Sequence, residues 1–217
     1  MHKIINNLTT IEEQIKSRFG DISKSEIIAV SKTFPFNEIE PLINHGHIHF
    51  GENKVQEAID KWTDIKANFQ NLKLHMIGKL QTNKVKYVVP LFDYIHSLDN
   101  LKLAKKISQE QTKNDKFLKI FIQVNIGNED QKSGIDLNNL SEFYNICVSE
   151  LNLDIIGLMC IPPKEKNVEE YFKKMIHLNK SLNLKELSMG MSSDFLEAIK
   201  YGSTFVRIGS KIFGDRI

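Results

Sequence analysis

The sequence predicts an α/β fold, a single (β/α)8 barrel of the TIM type with an extra N-terminal helix. Short runs rich in apolar and β-branched residues recur eight times, and stretches with helical spacing of apolar residues lie between them. Such alternation produces a parallel sheet covered by helices, and eight repeats favour a closed barrel. An open doubly wound sheet is the alternative, because short strands are easily miscounted. No Pro-, Gly- or Ser-rich linker interrupts the pattern, so we expect one domain over residues 1–217.

The predicted elements alternate along the whole chain. An amphipathic helix over residues 4–19 comes first, because Ile4, Leu8, Ile11 and Ile15 fall on one side of it. Strands are expected at 27–32, 48–51, 72–77, 93–97, 118–125, 153–159, 185–189 and 204–208. The helices between them are expected at 37–46, 54–68, 81–89, 100–114, 137–150, 167–182 and 193–201.

The composition argues against several classes of protein. A formal net charge of +2 gives no case for nucleic-acid binding. No segment approaches the roughly 20 apolar residues of a membrane span, and the N-terminus lacks the apolar stretch of a signal peptide. Two cysteines cannot form a disulfide framework, so we expect a cytoplasmic protein.

Lys32 is the most informative single residue. It ends an apolar run over 27–31, and Thr33, Phe34 and Pro35 follow as a turn. An ammonium is costly to bury at a strand exit, whereas a partly desolvated amine can attack an aldehyde to form a Schiff base. The alternative is a lysine that extends into solvent just past the strand. The segment alone favours the alternative, and the polar residues at the other predicted strand ends favour the chemical role.

The last quarter of the chain predicts a phosphate site. Residues 188–194 join predicted strand seven to a helix, and residues 202–210 run through strand eight into a loop with Gly209 and Ser210. Serine hydroxyls and free backbone N–H groups at a helix N-terminus bind anions. In barrels, phosphates commonly lie on the loops after strands seven and eight. Helix capping by Ser192 or Ser193 is the alternative, and it is compatible with phosphate binding.

Three further side chains are candidates for the same pocket. Arg207, inside predicted strand eight, could hold a phosphate or donate to a ring nitrogen, and a buried ion pair with a barrel carboxylate is equally supported. Asn53 follows predicted strand two and either caps the next helix or contacts a ligand. Lys132 is a second candidate amine, although most loop lysines are simply solvated.

Metal binding and serine-triad chemistry are not expected. His45, His47 and His49 alternate, and strand geometry would place His47 and His49 on one face. No third ligand follows at metal spacing, so we expect partly buried or surface histidines. The chain also lacks the Gly-x-Ser-x-Gly turn of an activated serine.

Several segments, taken in order, resemble the pyridoxal phosphate homeostasis family. They are Ala-Val-Ser-Lys-Thr (29–33), His-Phe-Gly-Glu-Asn with Val-Gln-Glu (49–57), Ile-Gly-Lys-Leu-Gln-Thr-Asn-Lys (77–84), Gln-Val-Asn with Lys-Ser-Gly (123–134), Gly-Leu-Met (157–159) and the stretch 187–216. The Ser-Met-Gly-Met-Ser and Val-Arg-Ile-Gly-x-x-Ile-Phe-Gly elements are highly specific. The chain departs from the family at Lys79, where His or Pro is frequent, and at Cys160, where Thr or Ala is more usual.

The resemblance implies a barrel similar to the cofactor-binding half of alanine racemase. It implies pyridoxal 5′-phosphate held as an imine on Lys32, with Arg207 near the pyridine nitrogen and Asn53 lining the pocket. The phosphate contacts implied in the same way are Ser192, Ile208, Gly209 and Ser210, with help from Thr204. Lys132 matches a family lysine with a role in modulating cofactor transfer.

Two functions remain open at this point. The resemblance implies a protein of intracellular cofactor homeostasis, which buffers pyridoxal phosphate and delivers it to apo-enzymes without robust catalysis of its own. A racemase of the alanine racemase type is the alternative, and it needs a second base, for which Lys132 and Tyr87 are the candidates. The homeostasis interpretation assigns no catalytic residue. We expect a monomer, because the site looks complete within one chain.

Overall fold

Eight parallel strands, each hydrogen-bonded to its neighbours in chain order, close into a barrel in the computed structural model, which describes residues 2–20, 24–129, 131, 133–163 and 167–214. They are β1 (Glu26–Val30), β2 (His49–Glu52), β3 (Lys73–Met76), β4 (Tyr94–Leu98), β5 (Lys119–Gln123), β6 (Asp154–Met159), β7 (Glu186–Met191) and β8 (Phe205–Ile208). The pairing of β1 with β8 closes the barrel, with Ile28 beside Arg207 and Ala29 beside Ile208. The predicted (β/α)8 fold is therefore confirmed.

Helices cover the outside of the barrel. They are α1 (Lys3–Phe19), α2 (Phe36–Asn44), α3 (Val55–Asn68), α4 (Val85–Leu91), α5 (Leu101–Asn114), α6 (Leu140–Asn145), α7 (Val168–Ser181), α8 (Phe195–Lys200) and α9 (Ser210–Phe213). The leading helix α1 packs against α2 and α9, and Asn7 Nδ2 donates to the Ile212 carbonyl at 2.8 Å. The extra N-terminal helix thus joins the first and last helices of the ring.

The helices differ from their predicted form in three places. A 3-10 turn, Thr82–Lys84, precedes α4. The single helix predicted at 137–150 consists of a 3-10 turn, then α6, then a π-helical turn at Ile146–Glu150. The short α9 was not predicted, because four residues are too few to show a helical period.

Apolar side chains form two packed regions, one on each side of the strands. The larger lies between strands and helices. The smaller fills the barrel interior with five side chains from five different strands: Ile28, Tyr94, Phe121, Met159 and Phe205. Successive residues of a strand point to opposite faces, so strands buried on both sides read as continuous apolar runs. The interior is therefore packed rather than open.

Two glycines allow strands and helices to approach closely. A Cβ atom at Gly157 would lie 2.0 Å from the Glu186 carbonyl oxygen, so a side chain there would separate β6 from β7. Gly190 has a φ of +89°, and a Cβ there would lie 2.5 Å from the Cβ of Ala198 in α8. Because glycine alone adopts that φ freely, Gly190 lets β7 turn directly beneath α8.

Two observations concern what the described residues do not form. No helix within these ranges combines the length and apolar character needed to cross a membrane. The His, Cys, Asp and Glu side chains in the same part of the chain do not gather in threes or more as ligands for a metal ion. His47 lies just before β2 rather than in it, and its Nε2 is 2.9 Å from the His49 carbonyl oxygen.

Candidate functional site

A cavity of about 760 Å³ opens at the carboxyl ends of the strands. This is the end at which (β/α)8 barrels carry their ligands. The described residues that line it come from the exits of β1, β2, β3, β6, β7 and β8 and from the end of α9: Val30, Lys32, Phe34, Asn53, Ile77, Gly78, Ile161, Met191, Ser192, Ser193, Arg207, Gly209, Ser210 and Gly214. The structure therefore brings together Lys32, Asn53, Arg207 and the serine loops.

Lys32 lies half-buried in this cavity, two residues after the end of β1. The residues on either side of it are fixed by hydrogen bonds. Ser31 N–H donates to the Gly51 carbonyl at 3.1 Å, and Thr33 N–H donates to the Glu57 carboxylate. Thr33 has a φ of +70°, a conformation that a β-branched residue adopts only when its surroundings impose it. The backbone that carries Lys32 is thus held in one defined turn.

A buried carboxylate supports this turn from below the β2 exit. Glu52 is fully buried, and its Oε1 accepts from Ser31 Oγ at 2.8 Å and from Trp62 Nε1 at 2.9 Å. Burying a carboxylate is costly unless donors replace its water shell. Glu52 thereby ties the residue before Lys32 to β2 and α3.

Hydroxyl groups and backbone amides form one wall of the cavity. Ser192 and Ser193 follow β7, and Gly209 and Ser210 follow β8. The two loops are in contact, because Gly209 N–H donates to Ser192 Oγ at 3.3 Å. Asp194 steadies the first loop by accepting from Met191 N–H at 2.7 Å. Uncharged donors concentrated in this way suit an anion such as a phosphate.

Arg207 places a buried cation in the cavity wall. Its side chain is 5% exposed, and its Nη1 donates to Ser188 O at 2.8 Å and to Ser188 Oγ at 2.6 Å. Its Nη2 donates to the Cys160 carbonyl at 2.8 Å. Burial lowers the pKa of the guanidinium, and no carboxylate forms an ion pair with it among the described residues. The described residues therefore give no support to the alternative of a buried ion pair.

The guanidinium keeps donors for a ligand. Of its five N–H groups, three take the protein acceptors above, which leaves Nε–H and one Nη2–H without a partner among the described residues. The carbonyl of Cys160, and not its thiol, holds Arg207, and burial raises the pKa of that thiol to about 12. Cys160 therefore contributes a backbone acceptor rather than a reactive group.

Asn53 also has an unused polar atom. Its Oδ1 is buried and has no hydrogen-bond partner in the described part of the chain. Gly78 lies against its backbone, so that a Cβ at position 78 would be 2.3 Å from the Asn53 carbonyl oxygen. A buried, unsatisfied acceptor beside Lys32 indicates that a donor arrives with a ligand.

Two predicted residues, Thr204 and Ile208, do not line this cavity. Thr204 lies just before β8, at the amino ends of the strands, and its hydroxyl accepts from Leu187 N–H at 2.8 Å. The Ile208 side chain is fully buried in the core between strands and helices. Thr204 is too far along the strand to help with a phosphate, and Ile208 has only backbone to offer. Lys132 lies outside the described residues.

Sequence reasoning missed Phe34 and Ile161 as lining residues, and it placed Ser188 in the phosphate loop rather than against Arg207. Phe34 forms an apolar wall of the cavity and stacks on Phe213 with ring centroids 4.8 Å apart. Phe34 stands next to the turn proline, and that position marks it as a residue near the cavity entrance. Ser188 carries two of the three acceptors of Arg207, and its place inside an apolar strand was the available signal.

The chain belongs to the alanine racemase N-terminal domain family, which it matches over residues 2–217. It is also 40% identical over 201 residues to a pyridoxal phosphate homeostasis protein of Aquifex aeolicus, covering 88% of this chain and 87% of that one. The structure of PipY from Synechococcus elongatus PCC7942 with pyridoxal phosphate bound is 32% identical. It superposes with a TM-score of 0.87 over 97% of this chain and 100% of that one. The family resemblance found in the sequence is confirmed.

A more distant structure shares the fold alone. Alanine racemase from Corynebacterium glutamicum is 15% identical, with a TM-score of 0.68 over 97% of this chain and 60% of that one. At this identity only the barrel architecture is common to the two proteins. Activity must therefore be argued from the site of this chain.

Proposed function

We propose that this protein binds pyridoxal 5′-phosphate as an imine on Lys32 and takes part in intracellular cofactor homeostasis, by buffering the cofactor and delivering it to apo-enzymes. The observation that carries the proposal is one cavity that holds a lysine amine, a wall of serine hydroxyls and a buried arginine that pairs with no carboxylate of the described residues. The names of the relatives point the same way, since the Aquifex protein is called a homeostasis protein and the cyanobacterial structure holds the cofactor.

The residues present fit the chemical groups of this cofactor. Ser192, Gly209 and Ser210 offer hydroxyl and amide donors to the phosphate. The unused N–H groups of Arg207 can donate to the ring nitrogen. Asn53 Oδ1 offers an acceptor to a donor on the ring. The cavity of about 760 Å³ falls within the size range of pockets for such ligands.

Arg207 also argues for binding rather than turnover. When bound, the cofactor supplies an electron-withdrawing ring that stabilises negative charge at a substrate carbon. A guanidinium stays protonated in proteins and can only donate. If it donates to the ring nitrogen, it would leave that nitrogen unprotonated and so weaken the electron-withdrawing character of the ring. Arg207 therefore favours binding over turnover.

The racemase alternative needs a second base, and the described cavity does not supply one. Lys32 and Arg207 are its only ionisable side chains among the described lining residues. Tyr87, one of the two candidates, lies outside the barrel in a groove between α3 and α4 with Ile59 and Lys116. Lys132, the other candidate, lies outside the described residues. Among the described residues the site has one amine and no opposing acid or base, which suits storage and transfer, so we propose a non-catalytic role. We further propose a monomer, because Lys32, the serine loops and Arg207 all meet within one barrel.

The test is an absorption spectrum of the purified protein, followed by borohydride reduction and peptide mass mapping. An imine band with a pyridoxyl adduct on Lys32 supports the proposal, and a protein that takes up no added cofactor overturns it. Loss of optical activity for a panel of L-amino acids, measured at stoichiometric protein, separates the two functions. Turnover that depends on Lys32 would favour the racemase.

A further inference from the structure

Three buried histidines form a continuous hydrogen-bonded line through the barrel, which we call the histidine chain: His49, His75 and His96. His49 Nδ1 lies 2.9 Å from His75 Nε2, and His75 Nδ1 lies 2.9 Å from His96 Nε2. His96 Nδ1 is 2.8 Å from Ser188 Oγ, the same oxygen that accepts from Arg207. The line therefore ends at the guanidinium in the cofactor cavity.

The donor at the Arg207 end fixes the direction of every bond in the line. A guanidinium has no acceptor, so Ser188 Oγ must accept from Arg207. The hydroxyl proton of Ser188 is left with His96 Nδ1 as its acceptor among the described residues. A neutral imidazole that accepts at Nδ1 carries its proton at Nε2, so His96 donates from Nε2.

The same reasoning applies to the next two bonds of the histidine chain. His96 Nε2–H donates to His75 Nδ1, and His75 Nε2–H donates to His49 Nδ1. His49 Nε2 then faces solvent-exposed Glu26, whose Oε2 is 3.8 Å away. A carboxylate thus stands near the last donor at the amino end of the barrel, although beyond hydrogen-bonding distance, and no imidazole in the line has to accept at Nε2.

We propose that Arg207 imposes one direction on the histidine chain, each ring being a neutral Nε2–H tautomer, and that the chain in return positions the guanidinium in the cavity wall. Ser188 and His96 are positioning residues in this arrangement. The histidine chain holds Arg207 through the hydroxyl of Ser188, which is itself fixed by His96. The guanidinium therefore cannot turn away without breaking the hydrogen bonds of the histidine chain. The effect on the cofactor ring rests on the proposed function.

The surroundings keep the three rings uncharged. Burial lowers the pKa of His75 and His96 well below the ordinary value, and burial with Lys73 nearby lowers that of His49 to about 4. Arg207 acts in the same direction on His96, and Lys66 on His75. Asp93 opposes these effects at His49. The rings around them are aromatic: Tyr94 stacks on His75 at 4.2 Å, and Phe121 stacks on His96 at 4.3 Å.

The test is the tautomer of each ring, read from two-bond ¹H–¹⁵N correlations in cofactor-free protein labelled with ¹⁵N-histidine at neutral pH. We expect the Nε2–H pattern for all three residues of the histidine chain. Either an Nδ1–H pattern or an imidazolium pattern in any of them overturns the proposal. The readout needs no cofactor, so it is decided independently of the proposed function.

Two variants test the direction. Ser188→Ala removes the donor to His96 Nδ1, so the three rings of the histidine chain should no longer share a single tautomer. A pure Nε2–H pattern in this variant would contradict the proposal that Arg207 sets the direction. His49→Phe breaks the far end and should leave His96 and His75 unchanged, whereas a changed His96 pattern contradicts the stated direction. If either variant fails to fold, the wild-type pattern still decides.

A cofactor readout completes the test. In cofactor-loaded protein, Ser188→Ala should shift the absorption maximum, and Ser188→Thr, which restores a hydroxyl, should bring it back. An unshifted spectrum in Ser188→Ala argues against positioning of Arg207 by the chain. If the protein shows the expected tautomers but binds no cofactor, the proposed function is contradicted and the proposed direction of the histidine chain still holds.

Discussion

Lys61 and Glu52 form a buried ion pair next to the turn that carries Lys32, with Lys61 Nζ 3.0 Å from Glu52 Oε1. The same ammonium donates to the Ser31 carbonyl at 2.9 Å and to Glu57 Oε1 at 3.2 Å. Ser31 precedes Lys32, and Glu57 accepts from the amide of Thr33 that follows it. One lysine therefore braces the backbone on both sides of another.

Lys61→Met should destabilise the protein by about 3 kcal/mol, because it leaves a fully buried carboxylate without its cation. The free energy of unfolding in urea measures this loss. Lys200→Met is the matched control, because its pair with Glu197 is exposed and should contribute little to stability. Equal losses of unfolding free energy in the two variants would show that the buried ion pair stabilises the protein no more than the exposed one.

Lys32→Ala should abolish the imine band and the borohydride adduct, while the phosphate donors retain weak affinity for the cofactor. The expected reason is that only an amine in the cavity can form the covalent bond. Lys54→Ala, an exposed lysine next to Asn53, is the control and should bind normally. An unchanged adduct yield in Lys32→Ala would refute the assignment of the anchor.

Arg207→Gln should weaken cofactor binding about tenfold to a hundredfold, as expected for the loss of a hydrogen bond from a charged donor. The absorption maximum should also move, because the ring nitrogen loses its fixed donor. Fluorescence titration and the spectrum of the loaded protein check both effects. Arg18→Gln, exposed on α1, should change neither quantity, and an unaltered Arg207→Gln would exclude contact with the ring.

The free energy of unfolding should fall as the pH drops from about 6.5 to about 4. Burial lowers the pKa of His47 and of His49 from 6.5 to about 4, so the unfolded chain binds more protons in this window. Their contribution is complete above pH 6.5 and disappears as the pH falls. Each contributes up to about 1.4 kcal/mol per pH unit.

Urea unfolding across this pH window measures the slope. His49→Phe should make it shallower, because one of the buried titrating rings is gone. His177→Gln, on the exposed side of α7, should leave the slope as it is. A flat stability profile in the wild-type protein would contradict the burial of neutral imidazoles.

The sequence predicts the architecture well because strands buried on both faces leave an unmistakable apolar run. The β1 run ends at Val30, two residues before Lys32, close to where the run of apolar residues predicted it. The serine loops were found because their position after the last two strands has a general meaning in barrels. Both features depend on residues that are neighbours in the sequence, so they can be predicted from one sequence.

What the sequence did not predict depends on contacts between distant strands. His75 and His96 are 21 residues apart and meet only when β3 and β4 pair. A strand buried on both faces has no polar side, so nothing in its pattern says which histidine points inward. The prediction that Thr204 helps to bind the phosphate failed for a related reason. A strand of four residues has its two ends close together in sequence, but only the carboxyl end lies at the cavity.

The packed interior has a consequence for the rate at which a ligand comes and goes. Buried side chains occupy the barrel from His49 to Arg207, so the described residues leave the carboxyl ends of the strands as the way out of the cavity. Loading and release then share one path in opposite directions. A protein docked across that opening would receive the released cofactor before water could dilute it, whereas an uncovered opening exchanges it with the surrounding pool.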